Sequence, residues 1–505
     1  MTIGVIPEAL PEELQRIFPG RRFVVVSNRE PYEHAYDAKS KQIVVRRPAG
    51  GLTSALDPLL KATAGDWVAW GSGAADAAVS DDAGRVRVPP NDPSYTLHRV
   101  WLDQQDIDEY YLGYANQLLW PLCHLRPALT RIRGRHFERY AAVNEQFAIA
   151  VVRATADQPA AVWFHDYHLA LAPRQLHDRK PDTTSAHFWH IPFPPPEVFR
   201  VATRGAFILE GLLANDLVGF HLPSFTANFL RCVQEQVKAE VDWDRRCVTI
   251  GDHTCWVRAL PISIDVEEFE RAAAPPDAAL RMRRMRNRFA PNGERIGVGV
   301  DRLDYSKGLE EKFKALELLW ARSPEWRETF TFVQVAVPTR LTIGAYDQLN
   351  EKIDGMACAI NKRFGTKTWT PIQLVKRPMT PARLALLYRI SDLCIISSLQ
   401  DGMNLVAKEY VASQVDNSGV LLLSKFAGAI EEVVGALPMN PYDPENAAEL
   451  IRTALEMRAP ERAERMRQGR ASLRTIYDWL QECFELWGLA AAGGEVPLSI
   501  ADRWA

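Results

Sequence analysis

The sequence predicts an α/β protein with two domains, each built on a parallel sheet. Its length is the first observation: 505 residues is well past the roughly 250–300 at which a single core stops growing, so two cores of similar size are expected. The second is the alternation of short β-branched or apolar runs with helix-length stretches, which is the pattern of βαβ units. The runs are 23–26, 161–164, 296–300, 330–336, 393–397 and 420–423. The third is where they end: Ser27-Asn28-Arg29, His165-Asp166-Tyr167-His168, Asp301-Arg302 and Pro338-Thr339-Arg340 are polar clusters at the carboxyl ends of strands, where open α/β sheets bind ligands.

The junction falls where the pattern changes. An apparent hairpin over 248–257 leads into Leu260-Pro-Ile-Ser-Ile-Asp265, giving a first domain of 1–262 and a second of 263–474, with a cleft expected between them. The tail from Pro460 through Trp487 is helix-rich, and its Arg and Glu content at helical spacing predicts a solvated face. With 47% hydrophobic residues, 24% charged residues and a net charge of -3, the chain offers no electrostatic case for nucleic acid or an anionic membrane. No run approaches the ~18–20 apolar residues of a membrane span, and the N-terminal Glu8, Glu12 and Glu13 do not suit a signal peptide. Seven cysteines without CxxC spacing argue against a disulfide framework or zinc knuckle and for a reducing cytoplasm.

The strongest chemistry lies in the second domain. Arg302 and Lys307 sit in the turn after 296–300, and Gly308 permits an unusual dihedral or close ligand approach. Two cations there suit a diphosphate; the alternative is an ion pair with Asp301 or Asp304. Asp401 and Glu409 bracket a turn at Gly402 that leads into a helix. The backbone N–H groups of Met403, Asn404, Leu405 and Val406 are then available to an anion, and the carboxylates to sugar hydroxyls. Asp401 is equally placed to cap that helix, and Glu409 to pair with Lys408 or Arg377.

In the first domain, His165-Asp166-Tyr167-His168 lacks the further ligands a metal needs, so no metal is expected. Asp166 and His190 both emerge from strand-like segments and suit one polar site, although a single buried histidine is as often structural. Arg29 and Arg340 suit a phosphate clamp. Gly50 and Gly51 form a loop that leads into a helix. Trp70, Tyr111 and Trp120 can carry sugar faces, though such residues are more often core. There is no GxGxxG and no GxxxxGK[ST], so dehydrogenase and P-loop readings lack their central motif.

Taken in order, these segments resemble the trehalose-6-phosphate synthase family of retaining glycosyltransferases. The matches are Val-Val-Ser-Asn-Arg29, Ala-Gly50-Gly51-Leu, Glu-Tyr-Tyr111 with Leu-Trp120-Pro, His-Asp166-Tyr-His-Leu, His190-Ile-Pro-Phe-Pro, Gly-Phe-His221, Arg302-Leu-Asp-Tyr-Ser-Lys307-Gly, Pro-Thr-Arg340 and Asp401-Gly-Met-Asn-Leu-Val-Ala-Lys-Glu409. The resemblance implies the GT-B fold of two Rossmann-like domains, with a C-terminal helix of about 475–505 crossing back onto the first. It implies glucose transfer, with retention and without a metal or other cofactor, from a nucleoside diphosphate glucose (UDP, ADP or GDP) to glucose 6-phosphate. Arg302 and Lys307 then hold the donor diphosphate, Glu409 the ribose, Asp401 the transferred sugar, and the backbone at Gly51, Met403 to Val406 and Met379 the rest of the donor. Arg29 and Arg340 clamp the acceptor phosphate beside Trp70, Tyr111 and Trp120, and Asp166 and His190 contact acceptor and transferred sugar. No phosphatase-like domain follows in the sequence, which implies release of a phosphorylated disaccharide.

Two departures bear on substrates. The loop from Glu30 to Pro48 is longer than in compact bacterial relatives, and its Asn-Arg-Glu-Pro-Tyr opening also resembles glucosylglycerol-phosphate synthases, which use glycerol 3-phosphate. Gln400 stands where many relatives have Arg, leaving nucleotide preference open. The sequence likewise leaves the oligomeric state open, a homo-oligomer included. A non-catalytic sugar-phosphate-binding regulator is disfavoured because all four donor-side charges are present.

Overall fold

The computed structural model describes residues 9–47, 51–340 and 343–504, which fall into two compact units, Met1–Ile262 with Ile476–Ala505 and Ser263–Thr475. In the first unit the strands are β1 (Arg22–Arg29), β2 (Glu33–Tyr36), β3 (Ile43–Arg46), β4 (Asp66–Trp70), β5 (Arg85–Val88), β6 (Tyr95–Val100), β7 (Ala160–His165), β8 (Thr184–Phe188), β9 (Leu217–Phe220), β10 (Glu240–Asp242), β11 (Cys247–Ile250) and β12 (His253–Ala259). Ten of them form one sheet in the order β10-β11-β12-β9-β8-β7-β1-β4-β6-β5. It is parallel from β12 to β6, with antiparallel strands at both edges.

The central strands are apolar without alternation because helices cover both faces of such a sheet. Val24, Val25 and Val26 of β1 are fully buried, as is every residue of β7. The helix Gly134–Thr155 buries Tyr140, Val143, Phe147 and Val151, which share one face at helical spacing. The helix Ile476–Ala491 belongs to this unit: Trp479 stacks on Trp163 at 5.3 Å, and Phe484 meets Phe23 edge-on at 5.7 Å. The tail expected to present a solvated face therefore divides. The helix Ala459–Ser472 keeps its charges largely in solvent, while the next one buries two tryptophans.

The expected long loop between Glu30 and Pro48 is instead a hairpin of β2 and β3; its last residue, like Gly50, lies outside the described residues. Beside it Arg99, buried on β6, gives Nε to Glu30 (2.9 Å) and Nη2 to Asp76 and the Tyr32 carbonyl (2.8 and 3.0 Å), and Glu30 accepts from the Ser72 N–H. This network fixes the chain just after Arg29. Removing Arg99 strands Asp76 as a buried charge, so Arg99→Met is expected to cost about 3–5 kcal/mol, read by chemical denaturation of wild type and variant.

The second unit holds β13 (Arg295–Arg302), β14 (Phe330–Val337), β15 (Ile372–Val375), β16 (Leu393–Ile396), β17 (Val420–Ser424) and β18 (Leu437–Met439). They form a wholly parallel sheet in the order β15-β14-β13-β16-β17-β18. In chain order this is 3-2-1-4-5-6, the doubly wound arrangement, and the run β6-β4-β1-β7-β8-β9 of the first unit repeats it. The winding reverses between β1 and β7 in one sheet and between β13 and β16 in the other. Each reversal leaves a crevice at the strand ends for a ligand.

Candidate active site

At the reversal in the second unit, the chain leaving β13 is tied to the end of β16. Ser397 Oγ donates to the Lys307 carbonyl (2.9 Å) and the Leu399 N–H to the Ser306 carbonyl (2.7 Å). Gly308 lies in this contact with φ +63, and a Cβ there would stand 2.0 Å from the Ser397 carbonyl oxygen, so only glycine fits. The turn carries the Lys307 ammonium to Asp401, Nζ to Oδ2 at 2.5 Å, and the same oxygen accepts from Ser398 Oγ and Asn404 Nδ2, both at 3.0 Å. Asp401 is therefore not the helix cap. Asn404 is, at φ +78, accepting from the Ala407 N–H. The N–H groups of Leu405 and Val406 lie in the first turn of Leu405–Ser413, where a helix has no internal acceptors and carries the positive end of its dipole.

The carboxylates expected as partners for Arg302 and Lys307 are engaged elsewhere. Asp301 binds Lys312 (2.7 Å), and Asp304 lies 3.7 Å from Arg340, whose Nη1 also donates to Tyr346 Oη (2.9 Å). Arg302 is half-buried at the end of β13. Glu409 pairs with neither Lys408 nor Arg377: Lys408 is bound to Glu432 (2.6 Å), and Glu409 accepts from the Tyr388 hydroxyl (3.0 Å). Burial pushes the Glu409 carboxyl up to about 7, against the Tyr388 hydrogen bond and with help from the charge of Glu268. Met379 lies just before the helix Pro381–Ile390.

At the reversal in the first unit, Arg29 ends β1, exposed and in register with Trp70 of β4. Asp166 follows β7 at φ +72, a conformation that non-glycine residues hold only when their surroundings enforce it. Here its N–H donates to the Phe188 carbonyl (2.7 Å), its carbonyl meets His187 Nε2 (3.1 Å) and its carboxylate accepts the His190 N–H (3.3 Å). His190 Nε2 lies 3.1 Å from His165 Nδ1, and His221 Nε2 lies 3.1 Å from the His190 carbonyl. Tyr111, on the π-helix Ile107–Leu119, stacks on His168 at 5.8 Å and meets Trp70 at 5.5 Å. Trp120 is buried against His124 and Tyr167. Gly51 opens the helix Gly51–Thr63.

The pairing of His190 with His165 and His221 was not read from the sequence, although His221 lies in the Gly-Phe-His221 match. The signal was available, since His165 ends β7 and His221 follows β9. Burial, with neighbouring histidines adding, lowers His165 and His190 well below the usual imidazole range, and His187 is pushed down to about 3. All three are neutral near neutral pH, so His190 offers a hydrogen bond, not a positive charge. A group lowered on folding contributes stability above its unfolded value and loses it as the pH falls below about 6.5. Nitrogen NMR from about pH 8 to about pH 5.5 should show these three imidazoles failing to titrate.

Two doubly wound units, one holding paired cations with spaced carboxylates and the other an exposed arginine beside aromatic rings, are the build of the GT-B class. The comparisons agree. The family model for glycosyltransferase family 20 matches residues 21–487. A trehalose-6-phosphate synthase of Mycolicibacterium smegmatis is 37% identical over 93% of both chains. The UDP-forming synthase A of Dictyostelium discoideum is 34% identical over 88% of this chain, which spans only 59% of that relative's length. Among solved structures, a UDP-forming synthase from Burkholderia vietnamiensis superposes with a TM-score of 0.84 at 33% identity, over 94% of this chain and 98% of that one. An enzyme from Burkholderia xenovorans in complex with glucose-6-phosphate gives 0.82 at 31% identity, over 92% and 99%. The E. coli protein bound with UDP-2-fluoro glucose gives 0.81 at 31%, again over 92% and 99%. The chain belongs to glycosyltransferase family 20.

Proposed function

We propose that the protein transfers glucose, with retention, from UDP-glucose to glucose 6-phosphate, forming α,α-trehalose 6-phosphate. The observation that carries this reading is the Lys307–Asp401 pair at the reversal of the second sheet, a cation and a carboxylate held together beside a helix N-terminus. In this reading the donor diphosphate draws Lys307 from Asp401 and joins Arg302 and the N–H groups of Leu405 and Val406, and Asp401 turns to the sugar hydroxyls. Glu409 accepts the ribose hydroxyls, and the backbone of Met379 meets the base. In the first unit Arg29 takes the acceptor phosphate, Trp70 and Tyr111 border the sugar, and Asp166 and His190 hold its hydroxyls. The leaving diphosphate helps deprotonate the incoming hydroxyl on the same face, so no side-chain nucleophile is required. We place the reaction in the cytoplasm, where seven unpaired cysteines, six of them buried, are stable.

The test is product analysis by mass and anomeric NMR, offering UDP-, ADP- and GDP-glucose against glucose 6-phosphate and glycerol 3-phosphate. An α,α-linked disaccharide phosphate with UDP-glucose preferred is expected. Glucosylglycerol phosphate as the sole product would overturn the acceptor, and preference for another nucleotide would overturn the donor.

Glu409 adds a pH signature. Its carboxyl, raised to about 7 on folding, contributes stability below its unfolded value that is lost as the pH rises through about 7. The ribose hydroxyls favour the ionised form, so donor KM at saturating acceptor should fall about tenfold between about pH 6 and about pH 8. In Glu409→Gln the profile should be flat and KM higher throughout.

A further inference from the structure

The helices Ala278–Phe289 and Pro381–Ile390 of the second unit border a cavity of about 400 Å³ that the reaction above does not use. Arg281, Arg284 and Arg288 line it from the first helix and Arg383 from the second, and among the described residues no acidic one lines it. Residues three and four apart share a helix face, so the first three guanidiniums meet the cavity through their spacing, and like charges so placed repel. Arg281 is moderated by Asp277 (Nε to Oδ2, 2.7 Å), and Arg288 lies over the Phe289 ring at 5.3 Å. Met285 and Leu386, both buried, give the cavity an apolar floor.

The cavity also reaches the start of Pro381–Ile390. Thr380 caps that helix without a side-chain hydrogen bond, and Pro381 has no N–H, so the first N–H of the helix, on Ala382, lies at the positive end of its dipole. Guanidinium forks and a helix N-terminus both favour phosphate oxygens, and the volume is that of a small-molecule site.

We propose that this cavity is a second anion site, which takes a phosphate monoester with an apolar or planar body. The phosphate lies among Arg284, Arg383 and the helix N-terminus, and the body rests on Met285 and Leu386. None of the residues assigned to donor or acceptor lines it. Thr380 does follow Met379, assigned to the donor base, so the test keeps the donor site filled.

The test is calorimetric titration with naphthyl phosphate and with inorganic phosphate, each with and without saturating UDP. One equivalent of naphthyl phosphate should bind with UDP present, at least tenfold more tightly than inorganic phosphate and less tightly as salt is raised. The double variant Arg284→Gln/Arg383→Gln should weaken it at least tenfold, while kcat and donor KM without the probe stay unchanged. Both changes are at partly or fully exposed positions, and a matching thermal melt verifies the fold. Loss of binding when UDP is present, or binding that the double variant leaves unaltered, overturns the proposal; equal affinity for the two probes overturns the apolar-body assignment. If UDP itself fails to bind, the donor reading fails, and the response to the double variant still decides this one.

Discussion

Replacing Lys307 by alanine should lower kcat/KM about 10³-fold, with most of the loss in kcat, and Arg302→Ala should lose a similar amount. The proposed reaction breaks the bond to a diphosphate that gains charge as it leaves. Preorganised cations at that point are worth several kcal/mol in a site where water does not compete. Lys307 is positioned by bonds that do not involve the substrate: its carbonyl is held by Ser397, and its ammonium by Asp401, at a glycine that no other residue can replace. Arg302→Lys should recover only part of the activity, because an ammonium cannot reproduce the planar fork. In a double-mutant cycle, Lys307→Ala with Asp401→Asn should cost less than the sum of the two, since each leaves the other without its partner. Steady-state kinetics on folded variants check this, and a loss under about tenfold would remove Lys307 from the reacting centre.

The strands were legible because a parallel sheet buried on both faces needs continuous apolar runs: five of the six expected runs fall within strands of the structure, and the sixth, 393–397, runs one residue past the end of β16. Three of the four charges expected on the donor side stand where the pattern of strands and turns put them: Arg302 ends β13, and Lys307 and Asp401 lie in the turns that follow β13 and β16, while Glu409 lies in the middle of Leu405–Ser413. What the sequence could not show was which charge meets which. Asp301 and Asp304 shortly precede Lys307 along the chain, yet Lys312 and Arg340 occupy them. Asp401 sits before a helix but yields the cap to Asn404, because its carboxylate is turned to Lys307 and Ser398. The helix Ile476–Ala491 illustrates the same limit: its charged residues suggest a solvated surface, while Trp479 and Trp487 are buried against strands more than three hundred residues earlier.

Arg29→Ala should raise KM for glucose 6-phosphate about 100-fold with a smaller change in kcat, the cost of a charge-assisted pair to phosphate at about 2.7 kcal/mol. Arg29 is an exposed cation at the reversal of the first sheet, and Arg99 anchors the chain immediately after it through Glu30, so little backbone order has to be gained on binding. Arg340, the second arginine assigned to the phosphate, is placed differently: its side chain is 4% exposed and its guanidinium is shared with Asp304 and Tyr346. Binding there exchanges one anion for another, so Arg340→Gln should raise KM by only about tenfold. Unphosphorylated glucose separates a phosphate clamp from a general disturbance of the site. If Arg29 binds phosphate, wild type and Arg29→Ala should use glucose equally poorly, and the variant should lose its preference for the phosphorylated sugar. A parallel loss on both acceptors would mean that Arg29 holds the loop rather than the substrate.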